Sequence, residues 1–258
     1  MSPPIERPLT LGEILAETIR IYGERLWPAL GLGAVYTGAV LGSALVHVVL
    51  YFAVASLMVV ATYGAAARIV LGDTLREAWG QVAVRLPVVL VLALVVGLPF
   101  VLASSYLLLV LFGALWIAFT GFAVPVAMIE RGETTSGWVA GVAYALERTI
   151  ALARAEYLHA AGVAAALLLA NLLIANVLGS ALVGFADVTR LVAGLLAQLV
   201  LAPFFYLGLS VLYFEQRARA ALSSRRRPAS KPREEEDAEV PDAVDPERAG
   251  PPDAAGKP

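Results

Sequence analysis

The chain has 258 residues, 59% of them apolar and 16% charged, with a formal net charge of −2 and no cysteine. A mean hydropathy of +0.77 lies far from that of soluble domains, which run nearer 45–50% apolar and about 25% charged. Disulfides, thiolate chemistry and cysteine-bound metals are excluded outright. Nearly neutral charge with long uncharged runs points to a polytopic membrane protein, since about 20 apolar residues cross a bilayer.

Residues 1–9 are proline-rich and are expected to be a flexible N-terminus. No apolar stretch precedes Leu26, so a cleavable signal peptide is not expected. Thr10-Leu-Gly-Glu13 is a capping box, in which the threonine oxygen and the glutamate carboxylate each satisfy an early backbone N–H. The helix that follows, over 10–25, carries Leu11, Ile14, Leu15, Tyr22 and Leu26 on one face. Glu13, Glu17, Arg20 and Glu24 line the other. Such a helix lies in the membrane interface rather than across it.

Between Leu26 and Val70 the only basic or acidic residues are His47 and, next to the end, Arg68, and the segment is long enough for two spans, near 26–44 and 47–69. Gly38 and Gly42 form a GxxxG pair and suggest close helix packing. Thr74-Leu-Arg-Glu77 is a second capping box, opening a helix over 74–85 with Leu75, Trp79, Val82 and Leu86 on one side. Leu86–Ile129 is uncharged and predicts spans near 86–103 and 106–129. Pro99 and Pro125 are expected to kink them, neighbouring helices meeting the freed carbonyls. A third surface helix over 136–154 lacks a capping box. Spans near 157–182 and 191–214 follow, closing a membrane domain over 10–216.

Beyond Gln216, residues 217–233 hold seven basic residues, and 234–253 hold nine acids and one base. This basic-then-acidic tail, 217–258, reads as disordered. The expected fold is therefore all-α: six transmembrane helices in three hairpins, each preceded by an amphipathic interfacial helix.

Lysine and arginine set the orientation. The segments before span 1, between spans 2 and 3, and between spans 4 and 5 carry three each. The tail carries nine, and the opposite side only Arg190. By the positive-inside rule both termini and the three surface helices are cytoplasmic, and the arginine-rich composition suggests a bacterial plasma membrane.

Catalysis or transport within a membrane leaves ionisable residues inside the spans, and here they are nearly absent. His47 and His159 fall at opposite ends of the membrane and are read as interfacial polar residues. A cation at Glu130 and Glu133 is weighed against a solvated loop, which is preferred. The intramembrane polar residues are Asn171, Asn176, Ser180 and Gln198. Asn176 and Gln198 are read at similar depth, either as an interhelical hydrogen bond or as a polar patch on a substrate path. Arg217, Arg219, Arg225, Arg226 and Arg227 are candidate contacts for anionic headgroups, or simply topology determinants.

Pro8-Leu-Thr-Leu-Gly-Glu-Ile-Leu15 with Ile21-Tyr22 resembles the opening of the bacterial glycerophosphoryl diester phosphodiesterase membrane-domain family and its uncharacterised six-span relatives. So do Thr74-Leu-Arg-Glu-Ala78 and the ending Leu212-Tyr-Phe-Glu-Gln-Arg217. The resemblance covers about residues 8–219. It implies six spans with cytoplasmic amphipathic helices, and no catalytic residue is carried over, since the chain has no room for the soluble phosphodiesterase barrel. Glu13, Glu17 and Glu24 stand where the family has basic residues in the first helix. The expected function is a non-catalytic scaffold or accessory module engaging lipids, a membrane partner or a second copy of itself, with no cofactor, no enzyme activity and no nucleic acid. The alternative is a transporter or lipid-translocating protein using the polar patch between spans 5 and 6.

Overall fold

A computed structural model describes residues 5, 7–104, 106, 109–130, 137–182 and 184–226. Among these, nine helices account for the fold: α1 (Leu11–Glu24), α2 (Leu26–Ala44), α3 (Val48–Val70), α4 (Leu75–Val84), α5 (Leu86–Ser104), α6 (Val110–Glu130), α7 (Trp138–Ala153), α8 (Tyr157–Ala181) and α9 (Asp187–Arg226). Six of them, α2, α3, α5, α6, α8 and α9, are long and apolar enough to cross a membrane. They form three antiparallel hairpins. The shorter α1, α4 and α7 each lead into one hairpin and gather at one end of the bundle.

The helix starts follow local chemistry. Both capping boxes form: Thr10 and Thr74 accept the backbone N–H of Glu13 and Glu77, whose carboxylates return to the capping backbone. His47 caps α3 in the same sense, its Nδ1 accepting the Val49 N–H at 3.2 Å. Helix α7 begins at Gly137 without a side-chain cap.

Helices α3 and α9 form the centre. Helix α3 packs on α2, α4, α5 and α9, and α9 packs on α1, α2, α3, α7 and α8. Every residue of α9 from Phe205 to Gln216 is buried. Tyr36, Tyr63 and Tyr206 meet where α2, α3 and α9 converge, and the Tyr63 hydroxyl donates to the Leu209 carbonyl at 3.2 Å.

Prolines shape the spans and leave carbonyls that the fold uses. Pro99 cannot donate to the carbonyl one turn back, that of Val95. The helix widens into a π-turn over Ala93–Gly97, and the Trp116 indole N–H of α6 donates to the Val95 carbonyl at 3.2 Å. This meets the expectation for Pro99. Pro125 precedes a second π-turn, Val126–Glu130, with Gly121 accepting from the Val124 N–H at 3.1 Å. The Arg85 guanidinium closes this turn, donating to the Ala127 carbonyl at 2.8 Å and to that of Met128. Pro203 interrupts α9 and frees the carbonyl of Leu199. There Gly33 of α2 lies so close that a Cβ would strike the Leu199 carbonyl. A Cβ on Gly97 would strike the carbonyl of Ser56 in the same way.

Several sequence expectations change. Gly38 and Gly42 have open space above them, so the close crossings rest on Gly33 and Gly97. Ile5 and Leu9 join the hydrophobic core, so the segment before Thr10 is docked rather than free at these positions. The last long apolar helix begins at Asp187 rather than 191 and continues to Arg226 rather than ending near 214. The physical reason is that Glu215, Gln216 and Ala218 are buried against the surface layer, so leaving the apolar span does not release the helix into water. The acidic part of the tail lies outside the described residues.

Candidate functional site

Two regions hold polar side chains in apolar surroundings, one at each end of the last hairpin.

The first is at the end carrying α1, α4 and α7, where two buried carboxylates tie α9 to the surface layer. Glu130, at the end of α6, is 9% exposed. It accepts the Tyr213 hydroxyl at 2.7 Å and the Arg148 Nε at 3.0 Å, and Arg217 lies 3.6 Å away. Tyr213 and Arg217 come from α9 and Arg148 from α7, so one carboxylate joins three helices. Glu215 is fully buried and pairs with Arg219 one turn later. Arg219 also pairs with Glu156, before α8, and donates to the Leu9 carbonyl at 3.0 Å. His159 completes the group, 3.8 Å from Glu215 and 3.4 Å from Arg219. Gln216, fully buried, donates to Glu215 at 3.1 Å, and its own oxygen has no partner among the described residues.

Buried charges persist only when paired and hydrogen-bonded, and removing one partner strands the other. Tyr213, Glu215, Arg217 and Arg219 are therefore clamps that fix the end of α9 beside α1 and α7. Sequence reasoning missed Glu215, Tyr213 and Arg148 because residue-to-residue distance in space is not written in spacing. One signal was available: Glu215, Arg217 and Arg219 directly continue the apolar run of the last helix. Glu130 was expected to be solvated, and it is nearly buried because Arg148 and Arg217 converge on it. Glu133 lies outside the described residues.

The basic residues singled out in the sequence divide accordingly. Arg217 and Arg219 face acids of this chain, so a lipid phosphate at either competes with an existing ion pair. Arg225 and Arg226 stand in the last turn of α9, and Arg227 lies outside the described residues.

The second region is the half of the α8–α9 hairpin nearest its turn. Between Leu168 and Ala202 no described residue is buried. Asn171 lies ten residues before the end of α8 and Gln198 eleven after the start of α9. At 1.5 Å per residue, both sit roughly 15 Å from the turn. The earlier start of α9 moves the turn outward, so Gln198 is level with Asn171 rather than Asn176. Asn176 is exposed and donates to the Leu172 carbonyl of its own helix at 2.8 Å, not across to Gln198. Asn171 keeps its oxygen buried without a partner among the described residues. Ser180 is exposed near the turn. Gln198 is also exposed, and it lines a cavity of about 360 Å³ with Leu178, Leu182, Arg190, Leu191 and Gly194 among its walls. Asn171, Asn176 and Ser180 are not among the walls of this cavity.

Compared with protein-family models, curated proteins and solved structures, the chain matches none.

Proposed function

We propose that this chain is a non-catalytic, multi-pass membrane scaffold or accessory module. On this reading the six long helices cross a bacterial plasma membrane, both termini are cytoplasmic, and α1, α4 and α7 lie in the cytoplasmic interface, where they engage lipid or a partner protein. The arginine asymmetry supports the orientation. The resemblance to the glycerophosphoryl diester phosphodiesterase membrane domains supports the same architecture and adds no activity.

One observation carries the functional part. The acids and bases nearest the proposed membrane boundary, Glu130 with Arg148 and Glu215 with Arg219, pair with one another, and the four residues come from three helices, α6, α7 and α9. Such a lattice holds surface helices at fixed positions relative to the spans. An active site needs its acid or base poised against a cavity, whereas these groups face each other. Anionic-lipid contact falls to Arg225, Arg226 and Arg227, whose neighbours Arg217 and Arg219 are already paired.

A transport reading draws on one specific feature, the cavity at Gln198. Its walls come from α8 and α9 and reach as far as Leu201, and α9 is buried from Phe205 onward.

Copurification from native membranes, followed by protein and lipid mass spectrometry, tests the proposal. A scaffold retains a partner protein or a defined lipid at a fixed ratio. Purified protein that moves lipid or solute across sealed vesicles, and loses that ability with Gln198→Leu, would replace it with the transport reading.

A further inference from the structure

Gln198 is the one exposed side chain at mid-depth in the spans that both donates and accepts strong hydrogen bonds and has no partner among the described residues. Asn176 lies about 7 Å from the turn and already donates to its own helix, and Asn171, level with Gln198 on α8, is not among the walls of the Gln198 cavity. In hydrocarbon an unmet carboxamide is costly, and lipid tails offer it nothing. Headgroups lie about half a bilayer away, roughly 15 Å. The group facing Gln198 must itself offer a donor and an acceptor at that depth.

A carboxamide carries two N–H donors and a carbonyl acceptor, so it is complementary to itself. A two-fold axis along the membrane normal sets every residue opposite its own copy at equal depth. We propose that the chain forms a two-fold dimer through the Gln198 face of α9, with the Gln198 side chains of the two copies hydrogen-bonded to each other. The proposal rests on the membrane-spanning reading and names a second copy of this chain as the partner of the hairpin.

The neighbourhood fits this use. Gly194, one turn outward on the same face, has open space over its Cα, which lets a second helix approach closely. Leu191 and Leu195 line the same cavity and supply an apolar rim. Arg190 at the outer edge is already paired with Asp187, so two copies meet without facing unpaired like charges. From Leu169 to Leu201 no described residue is buried, although Gly33 of α2 approaches the Leu199 carbonyl closely. Leu173, Val177, Leu191 and Leu196 are each more than half exposed.

The chain's lack of cysteine makes the test direct. Gln198→Cys and Leu196→Cys are expressed separately, membranes are oxidised, and the products are separated without reductant. Leu196 is exposed on the same helix but about 160° around it, two residues away at 100° each. The expected result is a disulfide-linked species of twice the chain mass from Gln198→Cys and none from Leu196→Cys. In a companion measurement, full-length Gln198→Leu labelled for energy transfer in vesicles should dissociate roughly 3- to 20-fold more readily than the parent. Alkali extraction first establishes that each variant is membrane-inserted. Inserted Gln198→Cys protein that stays monomeric, or that crosslinks to a chain of another mass, overturns the dimer and leaves the membrane reading standing. Protein that extracts into alkali overturns the membrane reading itself.

Discussion

The Tyr213 hydroxyl donates to the Glu130 carboxylate across 2.7 Å, joining the last helix to the end of α6 through residues 83 positions apart. Arg148 approaches the same carboxylate from α7. Tyr213→Phe removes one hydrogen bond to a charged group and should destabilise the fold by about 1.5–3 kcal/mol. Glu130→Ala should cost more, because it leaves Arg148 and Arg217 without their acid. Thermal unfolding in detergent checks both, and the order parent, Tyr213→Phe, Glu130→Ala should hold.

Glu215→Leu leaves Arg219 with Glu156 and the Leu9 carbonyl but without its buried acid, so it should cost less than the about 3–5 kcal/mol of a fully stranded buried charge. The paired change Glu215→Leu with Arg219→Leu removes both charges and should recover much of that loss. A double-mutant cycle in detergent reads the coupling. Equal effects of the single and paired changes would mean that the pair does not hold α9.

Trp116 meets a carbonyl that Pro99 leaves free. Trp116→Phe should therefore destabilise the parent more than it destabilises Pro99→Ala, in which the backbone N–H returns. Independent effects of the two changes would show that the indole is not the partner of Val95.

Gly33→Ala should force α2 away from α9, because the new methyl meets the Leu199 carbonyl, and a loss of well over 1 kcal/mol is expected. Gly42→Ala faces open space and should change little or stabilise slightly through helix propensity. Measured stabilities in the opposite order would restore the GxxxG pair as the packing element.

Acid should loosen the start of α1. The Thr10 backbone N–H, then Arg7, then the Thr10 hydroxyl hold the Glu13 carboxyl down to about 2, against 4.5 for a free glutamate. A carboxyl whose folded value is depressed contributes stability fully above its unfolded value, and that contribution fades as pH falls through the folded one. Hydrogen exchange of the first turn, corrected for intrinsic rates, should lose protection between about pH 4.5 and about pH 2. Glu13→Gln should start less protected and show no such window.

Six long apolar helices, three shorter amphipathic helices and both capping boxes were legible in the sequence because each follows from local periodicity and charge. Span ends at Ala44 and Val70 needed only the length of an apolar run. The end of α9 was not legible, because its inner turns are apolar-buried on account of α1, α7 and Leu9, which come from elsewhere in the chain. The polar residues divide in the same way. Asn171, Asn176, Ser180 and Gln198 stood out by type, yet which of them lacks a partner depends on where the turn falls. Glu130 and Glu215 looked like ordinary boundary charges until the fold brought Arg148, Arg217 and Arg219 to them.

Single-cysteine labelling from either side of intact cells tests the membrane architecture most directly, since the native chain contributes no background thiol. Leu45→Cys and Phe185→Cys lie at hairpin turns, and Arg76→Cys and Ser223→Cys lie at the end carrying the surface helices. An impermeant thiol reagent added outside should label the first pair, and the second pair should react only after permeabilisation. Labelling of Leu45→Cys and Arg76→Cys from the same side would contradict the six-span arrangement.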